Sequence, residues 1–231
     1  MTPVQSTSFT SDHMSQIVLT SDTLVTTPTA GALEYSSPVI YATPVGTQRG
    51  VMPNAQFYRL NADYVGLNAT GAQGVFGVGT GGTGIGVTLS ASTVYAFETT
   101  VMLSKSAGAT SHTIGMGFGG TATVNNILYY LSAQDQTAAG VVGTAGGTTT
   151  GVFLSVINTA SNTTFTQAIA AAARSVPYTL KGTVSVNAGG TFVPQYTLSA
   201  APGGAYSTVA GSYFSIYPIG SAGVINVGTW S

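Results

Sequence analysis

The 231-residue sequence contains no cysteine, one tryptophan and two histidines. Without cysteine the chain can form neither a disulfide framework nor a cysteine-ligated metal site, and it has no thiol nucleophile. Charged residues make up 5% of the chain, whereas they make up roughly 25% of average soluble domains. Because disulfides and ion pairs are so scarce, we expect stability to come from packing and from assembly.

The low charge also bears on association. The hydrophobic fraction of 44% is ordinary, so uncharged polar residues and small residues replace the missing charges. The formal net charge is −1, and a net charge near zero promotes association between chains. We therefore expect a permanent oligomer with an uncharged polar surface.

Two classes of partner are disfavoured by the same scarcity. Nucleic-acid binding requires clustered basic side chains that neutralise phosphates, and the five basic residues are dispersed. No apolar run approaches the ~18 residues that indicate a membrane-spanning helix, and the N-terminus lacks the basic and apolar regions of a secretory signal. We expect no nucleic-acid partner, no membrane insertion and synthesis in a cytoplasm. The basic residues are Arg49, Arg59, Lys105, Arg174 and Lys181.

Catalytic candidates are few. A glycosidase needs two carboxylates that face each other across a cleft at about 5 to 10 Å, and none of the six carboxylates is paired in sequence. Glu98, which lies among apolar neighbours, is the one candidate for a small carbohydrate-active enzyme. The alternative that we favour for Glu98 is a buried or semi-buried ion pair with Arg59, Lys105 or Arg174. The six carboxylates are Asp12, Asp22, Glu34, Asp63, Glu98 and Asp135.

Metal and cofactor signals are equally weak. His13 has only Asp12 beside it and His112 has no His or carboxylate nearby in sequence, so a metal site within one chain is disfavoured; contact between copies of His112 across a three-fold axis is the remaining route. Residues 77–82 match G-x-G-x-x-G, but no helix follows, as a dinucleotide site requires. We expect a Gly/Thr-rich loop there, no cofactor and no enzymatic activity.

Period-two alternation of apolar and polar residues predicts β-strands along much of the chain. Strands are predicted at 94–103, 112–118, 126–132 and 152–157, and the glycines at alternate positions of 112–118 indicate close packing over that face. For 167–174, which is rich in alanine, a helical turn and an extended crossing segment both remain open. The residues predicted to share the inward face of the first strand are Tyr95, Phe97, Val101 and Leu103.

The most informative stretch is 176–223, where three alternating segments are separated by glycine-rich turns. It predicts a β-meander that ends a sandwich. The first segment places Tyr178, Leu180, Val184 and Val186 on one face. The third carries aromatic residues on both faces, so both faces must be covered; one cover is the opposing sheet, and the other could be a second copy of the chain. The residues assigned to a trimer interface are Tyr196, Tyr213 and Tyr217.

The first part of the chain differs in character. Residues 1–15 are rich in Thr and Ser and predict an arm that is flexible or ordered by a partner. In 16–54 the short β-prone stretches 16–20 and 33–41 are interrupted by prolines, as is typical of edge or shaft elements. We expect this attachment or shaft segment to pair poorly alone and to wind with two further chains. A head spans 55–231, with the boundary near Pro53 and Asn54. The shaft residues expected to be buried between chains are Leu24, Val25, Leu33 and Ile40.

Two motifs carry a family resemblance. GTVSVNAGGTFVPQYTLS followed by GSYFSIYPIG, at 182–199 and 211–220, resembles the C-terminal knob of short tail fibres and virion appendages of tailed bacteriophages, whose jelly-roll heads form trimers. LTSDTLVTTPTAGALEYSSPVIYATPVGTQRGVM, at 19–52, is similar to the linker that precedes the receptor-facing domain in many phage tail proteins.

The resemblance implies an all-β homotrimer on the surface of a phage particle, assembled in the host cytoplasm, with a C-terminal jelly-roll knob. It implies a non-enzymatic tail fibre or appendage whose knob contacts the host surface, typically a glycan. The alternative is a head fibre or decoration protein that coats the shell. In either case the N-terminal segment would bind another virion protein, a tail or neck adaptor or the major capsid protein.

Overall fold

The chain folds into antiparallel β-sheets. The computed structural model describes residues 17–77, 84–135, 152–157 and 162–228, the segment 152–157 by its backbone alone. Within these residues the protein has strands, turns and irregular segments but no helix. The predicted arm, with Asp12 and His13, and most of the glycine-rich stretch at 77–82 lie outside the described residues.

The described part of the chain contains sixteen strands. In chain order they are β1 (Leu33–Ser36), β2 (Val39–Val45), β3 (Gln48–Met52), β4 (Gln56–Arg59), β5 (Tyr64–Val65), β6 (Gln73–Gly74), β7 (Val87–Leu89), β8 (Thr93–Lys105), β9 (Ile114–Gly119), β10 (Thr123–Ala133), β11 (Val152–Ile157), β12 (Thr163–Thr164), β13 (Arg174–Ala188), β14 (Gly190–Leu198), β15 (Ser207–Thr208) and β16 (Tyr213–Ser221).

The first three strands form a separate small sheet in the order β1-β2-β3. It ends at Met52, and the first strand of the large sheet begins at Gln56. The strand expected at 16–20 is absent from 17–20, which have no regular structure. The expectation that this segment pairs poorly alone is wrong for 33–52, because two short connections fold the strands back on each other and the chain supplies its own backbone partners.

The large sheet is built around three long strands. β13 lies between β8 and β10, and β10 also pairs with β11. The second edge of β8 is shared: β16 pairs along its first part and β15 along its last part. β4 then pairs with β16, and β5 with β15.

The second sheet has the order β12-β9-β14, and the other edge of β14 is shared by β6 and β7. The predicted meander is wrong, because β13, β14 and β16 do not pair with one another. β13 and β16 belong to the large sheet, while β14 belongs to the second sheet, so the turn after Ala188 carries the chain from one sheet to the other. The alternation of apolar and polar residues indicates which side chains are buried, but it does not indicate which strands are hydrogen-bonded to one another.

Aromatic rings join the two sheets. Phe97 of the large sheet lies 5.3 Å, between ring centroids, from Phe118 and 6.0 Å from Phe192, both in the second sheet. Phe118 and Phe192 stack at 4.4 Å. From the side of the large sheet, Tyr129 and Phe214 also pack against this group. Contacts of this kind between facing sheets are consistent with a β-sandwich whose core lies between them.

The predicted inward faces are confirmed. The apolar residues assigned to the faces of 94–103 and of the first C-terminal segment are all buried. A Cβ at Gly115 would lie 2.9 Å from Oγ1 of Thr197, its partner on the neighbouring strand β14, and Gly115 and Gly117 are both buried. The stretch 167–173 contains no helix: it is irregular with a bend at 172–173, and Ile169 forms an isolated bridge with His112. Tertiary contacts therefore override the helix propensity of its alanines.

The ring cluster gives a direct test of the core. Phe97→Ala should lower the free energy of unfolding by about 3–5 kcal/mol, because it removes a buried ring and leaves a cavity between the sheets. Met102→Ala is the control, since Met102 is 36% exposed on the opposite face of the same strand, and should cost less than about 1 kcal/mol. Denaturant unfolding measures both, and equal losses would contradict the packing described.

Candidate functional site

A cluster of polar and charged side chains is buried where β8 ends and β13 begins. Lys105 and Asp135 are each 5% exposed, Arg174 is 1% exposed, and His112 and Tyr206 are fully buried. Three of the few charged residues in the chain are thus collected in its interior. Burying charge is costly unless each group finds partners, so the partners of each member decide what the cluster does.

Arg174 and Asp135 form a two-pronged ion pair. Nε donates to Oδ1 at 2.9 Å and Nη2 to Oδ2 at 2.6 Å. The guanidinium also donates to the backbone carbonyls of His112 at 2.8 Å and Gln167 at 3.0 Å. Burial alone would lower the pKa of Arg174, but the hydrogen bonds that Arg174 donates to Asp135 and the charge of that carboxylate help to outweigh burial, and the pKa is raised. The guanidinium therefore stays charged and joins three chain segments.

Lys105 has no carboxylate partner among the described residues. Its Nζ donates to the carbonyls of Ala107 at 3.2 Å and Ala172 at 3.1 Å, and also to those of Gly108 and Ala171. Burial, and then the nearby charge of Arg174, lower the pKa of Lys105. A ring of backbone carbonyl dipoles thus takes the place of a counter-ion.

The ring of carbonyls around Lys105 requires a glycine at position 108. Gly108 has a φ of +77°, and a Cβ there would lie 2.3 Å from the carbonyl carbon of Gly203. No side chain fits without moving backbone, so the loop after β8 closes over Lys105 because position 108 is glycine.

His112 links the cluster to Tyr206. Its Nδ1 lies 2.7 Å from the carbonyl oxygen of Thr110, and its Nε2 lies 2.8 Å from the hydroxyl of Tyr206. Because burial is the largest effect on this imidazole, with Arg174 and Lys105 adding to it, the pKa of His112 is lowered. The ring is therefore neutral near pH 7, and its full burial excludes contact with copies of His112 across a symmetry axis.

The cluster does not take the form of an active site. All five side chains are used to fasten the loop 105–112, the stretch 167–174 and the end of β10 to one another, and none is accessible to a substrate. Sequence reasoning missed it because its members are far apart in sequence. The signal that could have revealed it is that three of the few charged residues, Lys105, Asp135 and Arg174, lie close to the ends of predicted strands.

Glu98 takes none of the predicted partners. It lies 4.0 Å from Nζ of Lys181, and both side chains are well exposed. Lys105 and Arg174 belong to the buried cluster, while Arg59 donates to Asn61 at 2.8 Å. The expectation of a buried pair is wrong because Glu98 points away from the core, on the side of β8 opposite Phe97.

That side of the large sheet is its outer face, defined here as the side opposite the ring cluster. One row of residues in register crosses five strands of it: Tyr130, Lys181, Glu98, Ser215 and Phe57.

Apolar groups remain exposed on the outer face. Tyr213 and Tyr217, both predicted interface residues, lie there half-buried, and Phe57, which is 60% exposed, stacks on Tyr213 at 5.2 Å. Leu128 and Tyr130 are 51% and 50% exposed. Among the side chains that the structure describes, the outer face therefore offers rings and aliphatic groups, together with threonines, the exposed pair of Glu98 with Lys181, and Arg59.

Tyr196 requires a correction. It was assigned to a trimer interface, but it is 1% exposed within the single chain. Its hydroxyl donates to Oε1 of Gln73 at 3.0 Å. Because its side chain points inward from β14, the ring belongs to the interior of the protomer and is not available to a partner chain.

The four predicted shaft residues differ in exposure. Val25 and Leu33 are 53% and 56% exposed, while Leu24 and Ile40 are half-buried. Arg49 and Glu34 form an ion pair at 2.7 Å in the same region. The hydrogen bond from Arg49 lowers the pKa of Glu34.

Two pockets accompany these surfaces. An apolar pocket of about 180 Å³ opens between the sheet edges β4 and β7, with Phe57, Tyr58 and Phe76 among its walls. A more polar one of about 310 Å³ lies between the small N-terminal sheet and residues 220–228. Across the described ranges, no group of three or more His, Asp or Glu side chains is arranged to hold a metal ion.

These observations define an all-β protein of antiparallel sheets, consistent with a sandwich, that has a buried charged cluster and an outer face rich in exposed rings. Comparisons with protein-family models, with curated proteins and with solved structures found no match for the chain. No helix long and apolar enough to cross a membrane occurs in the part of the chain that the structure describes.

The ion pair in the cluster can be tested by a double-mutant cycle. Asp135→Asn should lower the free energy of unfolding by about 3–5 kcal/mol, because it leaves Arg174 charged and buried without a counter-ion. Adding Arg174→Gln should cost much less than the same change in the wild type. The control cycle is Glu98→Gln with Lys181→Gln on the outer face, where each change should cost less than about 1 kcal/mol. Additive losses at Asp135 and Arg174 would contradict their coupling.

Proposed function

We propose that this chain is a non-enzymatic structural protein of a tailed-phage virion, a homotrimeric tail fibre or appendage. Its head is a jelly-roll form of the sandwich, and its N-terminal segment attaches the trimer to a tail or neck adaptor. The outward knob contacts the host surface, typically a glycan. The observation that carries the proposal is the outer face, which keeps the rings of Phe57, Tyr213 and Tyr217 on the surface of a single chain.

The charge distribution supports assembly. The chain has five Lys or Arg and six Asp or Glu, and Lys105, Asp135 and Arg174 are buried. Few charges are therefore left to keep copies apart or to protect sheet edges and faces. A face with exposed rings and little charge is suited to permanent contact with further copies of the chain.

The positions of the carboxylates favour a non-enzymatic role. In the described residues each carboxylate has a partner that fixes it: Asp135 and Glu34 pair with arginines, and Glu98 lies beside Lys181. Asp22 and Asp63 accept hydrogen bonds from the backbone amides of Thr23 and Ala210. Ion pairs and hydrogen bonds to backbone amides of this kind are typical of carboxylates with a structural role.

The N-terminal segment supports an attachment role. It has its own sheet, separate from the sandwich, and it leaves Val25 and Leu33 exposed. In the proposed particle these groups are covered by the other two chains or by the adaptor. If the protein decorates the head instead, the same segment contacts the major capsid protein.

Electron microscopy of the phage particle, with a labelled tag placed after Ser231, tests the proposed role. Labels on tail or neck projections are the expected result. Labels spread over the head would indicate a decoration protein instead of a tail fibre. A purified particle that lacks the chain would overturn the virion role altogether.

The trimer is tested by light scattering of the purified chain. At micromolar concentration the mass should be three times that of one chain, and Tyr217→Arg should shift it toward the monomer because it places a charge in the apolar contact. Leu67→Arg is the matched control: Leu67 is 65% exposed outside the outer face, so the trimer should persist. A monomeric wild-type protein would contradict the proposed trimer. Dissociation by Leu67→Arg but not by Tyr217→Arg would show that the interface lies outside the outer face.

A further inference from the structure

The hydrogen bonds of His112 can have only one polarity. A backbone carbonyl can only accept, so Nδ1 must carry the hydrogen that points to Thr110. In the neutral ring Nε2 then holds a lone pair, and the hydroxyl of Tyr206 donates to it. This tautomer follows from the partners alone.

Protonation of His112 would break this arrangement. Nε2 would become a donor, and the hydroxyl hydrogen of Tyr206 would lose its acceptor. The Arg174 guanidinium already interacts with the Tyr206 hydroxyl, and the ammonium of Lys105 lies 6.0 Å from the centroid of the Tyr206 ring. Tyr206 would then lie near three cations, with Asp135 as the opposing carboxylate, and its buried hydroxyl hydrogen would be left without an acceptor.

The charges around His112 act in the same direction. The charged groups that face it are Lys105 at the end of β8, Arg174 at the start of β13 and Asp135 after β10. One carboxylate already opposes two cations, so an imidazolium adds a third cation in a buried space. Burial, the hydrogen bond that Nε2 accepts from Tyr206 and the two cations oppose the protonated form, whereas the bond from Nδ1 to Thr110 and the charge of Asp135 favour it.

The cluster holds particular segments closed. Lys105 and Arg174 donate to the carbonyls of Ala171, Ala172 and Gln167, and a backbone bridge joins His112 to Ile169. We propose that these contacts form an acid-sensitive latch: protonation of His112 releases the stretch 166–173 from the loop 105–112 and opens this end of the sandwich.

The sign of the effect follows from linkage. The pKa of His112 is lowered in the closed protein, chiefly by burial. An open form with an ordinary imidazole, whose pKa is about 6.5, binds more protons whenever the pH is below that value. Opening is therefore unaffected above about pH 6.5 and is favoured up to about tenfold by each further pH unit, until the pH reaches the pKa of the closed form.

Hydrogen exchange of the full chain tests the latch. Protection of the amides of His112 and Ile169 should fall by up to about 30-fold between about pH 7.5 and about pH 5, after correction for the intrinsic exchange rate. Amides of the ladder between β10 and β13 serve as the internal reference and should change less. Equal changes at both places, or no change at Ile169, would overturn the proposal.

A variant separates His112 from other titrating groups. His112→Gln keeps an acceptor near the Tyr206 hydroxyl but does not titrate, so the pH dependence of exchange at Ile169 should disappear. Glu98→Gln, on the outer face, should leave that dependence unchanged.

If the glutamine variant does not fold, an NMR titration of the wild-type histidine rings decides the question, with His13→Gln used to assign His112. A His112 ring that titrates near its ordinary pKa while Ile169 stays protected would overturn the latch.

Discussion

The ladder between β8 and β13 is the constraint on which the rest of the structure depends. Its register sets Gly182 opposite Phe97 and Lys181 opposite Glu98, and it ends with Arg174 opposite Lys105. A slip of one residue would turn every side chain of a strand to the other face. The ring cluster, the outer face and the buried charges all depend on this one register.

The same ladder explains why the buried cluster must be so fully bonded. It brings two cations side by side at its end, an arrangement that is unfavourable in itself. Asp135 compensates Arg174, and four carbonyls surround Lys105. These bonds hold the loops around the cluster in place. A few buried charged groups therefore give these loops a defined conformation, which apolar contacts alone would not specify.

The proposed assembly and the acid-sensitive latch concern opposite sides of the large sheet. The outer face presents rings to a neighbouring chain, while the cluster lies toward the interior. Because Tyr217 lies on the outer face and His112 is buried in the interior, changes at one leave the contacts of the other in place. The two proposals can therefore fail separately.

The sequence by itself determined the β class, the positions of the long strands and the faces of Phe97 and Tyr178, because burial on one side of a strand imposes a period of two. It also indicated that 16–54 differs from the head. It did not determine strand partners, so the predicted meander failed, and it placed Tyr196 at a surface although that residue points into the core.

Only the tertiary structure decided where the scarce charges meet. Lys105, His112, Asp135 and Arg174 are brought together by the pairing of β13 with β8 and β10 and by two loops that close over their ends. No local sequence pattern predicts that these side chains come together, because the free energy of a buried charge depends on partners that are distant in the chain. The non-helical form of 167–173 has the same origin, because Lys105 and Arg174 bind the carbonyls of Ala171, Ala172 and Gln167.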